Sequence, residues 1–114
     1  MRYRAFKISS NEYNYDLKKW TGWSEWSTNS FLIVVNVTAK NVKLYTNGEP
    51  LTFDITRLSD AIDATDGSVQ QSLYCVSSSG TEVEIKRQLF DGGRAIFYVY
   101  WSDLYVAYAT NRLD

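Results

Sequence analysis

Histidine is missing from all 114 residues of the chain, and that absence bounds the chemistry it could perform. Without imidazole there is no Ser-His-Asp or Cys-His arrangement, no His-ligated zinc, and no side chain that is ordinarily a general base near neutral pH. Cys75 is the only thiol. It can neither pair within the chain nor build a four-thiolate metal site, and its place in an apolar run marks it as an inert buried thiol rather than a nucleophile. Asp60, Asp63 and Asp66 stand at spacing three ahead of Gly67. A calcium loop of the EF-hand type wants acidic ligands at alternate positions and a later Glu, so these carboxylates read as the solvated side of a short helix. Gly92-Gly93 lacks the Lys-Ser/Thr that completes a phosphate-cradling loop. Glu82 and Glu84 point to one face of a strand, where cross-strand partners such as Lys86 and Arg94 account for them more simply than a glycosidase carboxylate pair would. Carboxylates, Lys and Tyr alone remain for proton transfer, and none clusters in sequence. No catalytic residue, metal or cofactor is expected; the chain is read as non-enzymatic.

Binding is a different matter. In KKWTGWSEWSTN, residues 18–29, Trp20, Trp23 and Trp26 recur every third residue in a chain with four tryptophans in all. Exposed indoles could form a stacking platform for a small apolar or aromatic ligand, a sugar, a nucleobase or a cation. The preferred reading is structural. Each indole removes roughly 150–250 Å² from water when buried, worth on the order of several kcal/mol for the three at about 25 cal/mol per Å². On this reading they cover oily outer strand surface, above all that of the neighbouring FLIVVNV. A second candidate surface comprises Tyr98, Tyr100, Tyr105 and Tyr108, residue types enriched where proteins meet other proteins or their own copies.

The elements that must carry these residues are strands. Alternation with period two, broken by turn residues, is the dominant pattern, and no long helix is visible. Strands are expected at 2–9, 31–37, 42–46, 51–56, 69–77, 81–90, 94–101 and 104–110, with Asn47-Gly48, Asp66-Gly67, Ser79-Gly80 and Gly92-Gly93 as turns. The Trp segment falls in a polar connection. Leu58, Ala61 and Ile62 at helical spacing predict a short helix or single turn within 57–65. FLIVVNV and RAIFYVYW are apolar on both faces, marking strands covered on both sides.

Eight short strands joined by short loops are antiparallel to their sequential neighbours, and each must bury one apolar face. An up-and-down meander closing into a small barrel does so and leaves no open edge; a two-sheet sandwich is the alternative. Residues 1–114 are long enough for one domain, since a single core usually takes roughly 100–200 residues, and 45% hydrophobic with 22% charged residues is globular composition.

The pattern resembles that of small lipocalin-like barrel proteins of bacteria and phages, through Trp20 and Trp23 ahead of FLIVVNV, the hairpin NVKLYTNGEPLTFDI, and the closing pair RAIFYVYW and LYVAYAT. The resemblance implies a fold and carries no shared activity. WTGWSEWST is also similar to the tryptophan strand of thrombospondin type 1 repeats, but that family needs several cysteines and an arginine-rich partner strand, which this chain lacks.

A net charge of −1 argues against a binder that neutralises nucleic-acid phosphates. Residues 1–20 are mildly basic and 49–66 mildly acidic. No run of apolar residues is long enough for a secretory leader or a membrane helix, so a soluble, cytoplasmic or otherwise intracellular protein is expected. The Asn36-Val37-Thr38 sequon lies inside an apolar strand pattern and is read as chance. The functions expected are a non-catalytic interaction or structural barrel, acting on a protein partner or as a homo-oligomer, or alternatively a small-molecule carrier with a Trp-lined mouth.

Overall fold

In the computed structural model, which describes residues 1–113, the alternating segments become strands of one sheet. In chain order they are β1 (Arg2–Asn14), β2 (Lys19–Trp20), β3 (Ser27–Thr28), β4 (Leu32–Asn36), β5 (Asn41–Tyr45), β6 (Leu51–Leu58), β7 (Ile62–Asp63), β8 (Val69–Ser77), β9 (Glu82–Leu89), β10 (Arg94–Tyr100) and β11 (Leu104–Arg112). The eight longer strands pair in the order β1-β4-β5-β6-β8-β9-β10-β11, and β11 pairs back onto β1 from Tyr3↔Arg112 to Glu12↔Leu104. This is a closed antiparallel barrel of eight strands. The three short strands decorate it: β2 and β3 pair with β1, and β7 with β8.

Inward positions follow the period-two pattern. Ile33, Val35, Val42, Leu44, Phe53, Leu73, Cys75, Val83, Ile85, Phe97 and Val99 are all buried in one cluster, and Tyr3 meets Phe97 edge to face at 4.9 Å between ring centroids. An eight-stranded barrel has room for side chains or one small ligand. Here side chains take it. The cavity among Ile33, Phe53, Phe97 and Tyr108 is about 10 Å³, at most the space of one water. Trp101, the fourth tryptophan, packs on Phe53 at 5.6 Å.

On β1 the inward face changes parity. Tyr3 and Ala5 are buried, then an irregularity between Ala5 and Lys7 inserts Phe6, so that Ile8 takes the next inward position. A bulge re-aims every side chain beyond it. Ser9, Asn11 and Tyr13 consequently face outward, toward the Trp segment.

The helix expected within 57–65 does not form. Arg57 and Leu58 extend β6, Ser59 N–H donates to the Ser72 carbonyl at 2.9 Å, and Ile62 and Asp63 pair with β8. Pairing to a long neighbouring strand satisfies more backbone groups than one isolated helical turn could. Asp60, Asp63 and Asp66 therefore do not share a helix face. The connection after β1 also differs from expectation, since β1 runs on to Asn14 and the Trp segment folds back along it.

Candidate functional site

Residues 15–30 lie along the half of β1 that extends beyond β4. Asn14 starts the reversal: its side-chain Oδ1 accepts from the N–H groups of Asp16 and Leu17, both at 3.0 Å, a local bond typical of Asx turns. Trp20 then pairs with Tyr13. Beyond it, Thr21 N–H donates to Glu12 O, Gly22 N–H to Asn11 Oδ1, and Ser24 N–H to Ser10 O, at 2.8, 2.9 and 2.8 Å. Gly22 has φ +92°, a conformation that side-chain-bearing residues rarely adopt. Ser9 Oγ donates to Ser24 O at 2.6 Å. The segment is thus pinned residue by residue, and its indoles are carried over the outer face of β1 toward β11 and β10.

The outcome is a continuous network of rings. Tyr15 meets Tyr13 at 5.1 Å, and Tyr13 meets Trp20 at 5.5 Å. Trp20 lies stacked on Tyr105 at 4.1 Å and 24°; Tyr105 meets Tyr100 edge to face at 4.8 Å. Tyr100 is parallel to Tyr98 at 6.0 Å, and Trp23 closes the circuit against Tyr98 at 6.1 Å and Tyr105 at 6.5 Å. Beneath them Ser9 and Ala107, register partners on the outer face, are 3% and 1% exposed. Two outward positions so deeply buried need a cover, and the segment pinned above them supplies it.

That cover is incomplete. Trp20 is half-buried, whereas Trp23 and Trp26 each keep 46% of their surface exposed. Trp26 has no ring partner among the described residues and stands apart from the network. Tyr15, Leu17 and Phe6 are also exposed.

Charges frame the rings. Lys86 Nζ sits 5.0 Å from the Tyr98 centroid and 5.8 Å from that of Tyr100, a cation held over aromatic faces. Glu84 accepts from Ser72 Oγ at 2.9 Å, where the sequence suggested Lys86 or Arg94 as its partner. At the opposite margin the Tyr15 hydroxyl donates to Asp103 Oδ2 at 3.2 Å. This bond, more than burial, raises the Tyr15 pKa. Burial first, then Tyr100, raises that of Tyr98, partly offset by Lys86; burial first, then Glu84, raises that of Tyr100.

Of the tyrosines singled out in the sequence, Tyr98, Tyr100 and Tyr105 come together on this outer face and Tyr108 does not. Tyr108 is 6% exposed and points into the barrel, where burial pushes its pKa up to about 12. Tyr105 and Tyr108 are three apart, and in a strand an odd separation puts side chains on opposite faces. Tyr13 and Tyr15 also belong to the surface, as does Lys86, which the sequence suggested only as a partner for Glu82 and Glu84. The outward parity of Lys86 was visible in the alternation of β9, but the parity of Tyr13 depends on the bulge at Phe6.

Cys75 is buried, its pKa raised to about 11 mainly by that burial. Asp66 accepts from Ser68 N–H and Oγ at 3.0 and 2.6 Å and from Gln88 Nε2 at 3.2 Å; the bonds from Ser68 lower its pKa. Among the described residues no three acidic or thiol side chains gather as metal ligands would. No helix among them is long and apolar enough to cross a membrane. Comparison with protein-family models, curated proteins and solved structures found no match. The chain is a closed eight-stranded antiparallel β-barrel with a tryptophan-bearing flap folded over one outer face, and its chemistry is read from that geometry.

Proposed function

We propose that the protein is a non-catalytic interaction barrel that associates with a second copy of itself through the outer ring network of β10, β11 and the Trp flap. The observation that carries this reading is Trp23: an indole in contact with Tyr98 and Tyr105 yet 46% exposed. Closing the barrel and burying Ser9 and Ala107 leaves that aromatic area outside, and large exposed aromatic patches are a mark of contact surfaces.

Charge favours a second copy as the occupant. Lys86 lies at one margin of the network and Asp103 at the other. A two-fold axis through the middle of the patch sets Lys86 of each copy toward Asp103 of its mate, as a self-complementary interface requires. The reading of a carrier with a Trp-lined mouth is weaker, because the central interior, about 10 Å³, offers no volume for a ligand there, and the rings form an outer surface rather than a mouth.

Charge exchange tests the proposal. Lys86→Glu and Asp103→Lys should each weaken self-association by about a few-fold or more, with most of it recovered when the two are combined. Unchanged association in all three variants would contradict it.

A further inference from the structure

Away from the ring network, one end of the barrel holds arginines that the interaction reading does not use. Arg87 belongs to the inward-facing set of β9, with Val83 and Ile85, and so brings a guanidinium to the interior. Its Nε and one terminal nitrogen donate to Gln71 Oε1 at 3.0 and 2.7 Å, and the other terminal nitrogen approaches the sulfur of Met1 at 3.9 Å. All these partners are neutral. Among the described residues no carboxylate is bonded to it, and a half-buried guanidinium without a counter-charge is costly.

Beside it opens a cavity of about 270 Å³ whose walls include Tyr3, Arg87, Leu89, Phe90, Arg94 and Arg112. Among the described residues its lining has no acidic side chain, and Arg87 and Arg94 bring guanidinium groups to it. Gly93, in the β9–β10 turn, has φ +80°, a conformation that favours glycine. Arg94 reaches across Phe90, its guanidinium carbon 5.8 Å from the ring centroid. Asp66, in the turn beside this end, is taken up by Ser68 and Gln88, and Gln88 points outward where Arg87 points inward.

We propose that this end of the barrel is a binding site for a small organic oxyanion, a carboxylate or phosphate monoester, whose charged group meets Arg87 and Arg94 while its apolar body rests on Leu89 and Phe90. A planar guanidinium with unused N–H donors matches two oxygens of such a group, and partial burial strengthens the attraction beyond its value in water. Burial first, and after it the field of Arg112, lower the Arg87 pKa against an opposing contribution from Tyr3; an entering anion supplies a counter-charge that favours the guanidinium.

Titration followed by amide and arginine side-chain NMR tests this on the full chain, with phenyl phosphate and phenylacetate as probes, and inorganic phosphate and benzyl alcohol beside them. Saturable shifts at Arg87, Leu89 and Arg94 are expected with either aromatic anion, tighter than with inorganic phosphate and weakened by added salt. Arg87→Met should lose about tenfold or more in affinity and Arg94→Gln about threefold. Should Arg87→Met fail to fold, Arg94→Gln decides. Absence of saturable shifts, full affinity in the folded variants, equal binding of inorganic phosphate, or equal shifts from benzyl alcohol would each overturn the proposal.

Discussion

Trp20 from the flap lies stacked on Tyr105 of the last strand, ring centroids 4.1 Å apart and planes inclined by 24°. Barrel closure makes the contact possible, because β1 has β11 as its neighbour along nearly its whole length. The flap is bonded to β1, so its indoles reach the outer faces of β11 and β10, which come from the opposite end of the chain.

The rings should therefore divide by position. Trp20→Ala removes a stacked, half-buried indole and is expected to cost about 2 kcal/mol of unfolding free energy, below the full core value. Trp26→Ala, which leaves no ring partner behind, should stay within about 0.5 kcal/mol. Urea unfolding of both variants measures the difference; equal costs would mean that the flap is held in some other way.

A filled interior makes a second expectation. Phe97, 1% exposed and packed against Tyr3, should cost about 3–5 kcal/mol when replaced by Ala. The variant gains the apolar cavity that the native barrel lacks, so xenon or benzene should stabilise Phe97→Ala and leave the native protein's melting temperature unchanged.

Alkaline pH should unfold the protein through two buried acids. Burial raises Cys75 from an ordinary 9.0 to about 11 and Tyr108 from 10.0 to about 12. The unfolded chain releases both protons first as pH rises. Their contribution is complete below about pH 9 and is lost progressively up to about pH 12. Melting temperature should fall across that window, and Tyr108→Phe should flatten its upper part. Native Cys75 should also resist thiol reagents at pH 8, becoming reactive only on unfolding.

Much of this fold was written in the alternation of the strands. Val83, Ile85, Arg87 and Leu89 against Glu82, Glu84, Lys86 and Gln88 assign the two faces of β9 directly, and all eight barrel strands are visible as strands. FLIVVNV and RAIFYVYW, apolar on both faces, and β1, bulged at Phe6, do not show which face turns inward. Two features were hidden because they depend on distant partners. Leu58, Ala61 and Ile62 have helical spacing, yet β8 draws their segment into strand pairing. The Trp flap was expected to cover FLIVVNV, its neighbour in sequence, whereas the hydrogen bonds to β1 and the closure of β11 direct it to the tyrosines of β10 and β11. Tyr108 is a different case: strand parity alone separates it from Tyr105, and grouping the two overlooked it.

The central claim concerns the exposed side of the ring network. Sedimentation velocity of the native protein and of Trp23→Ala, over a concentration series reaching high micromolar, tests it most directly. The account predicts a concentration-dependent shift toward a dimer for the native chain, weakened by about tenfold or more in Trp23→Ala. A native protein that remains monomeric throughout, or a Trp23→Ala variant that dimerises as well as the native chain, would contradict it.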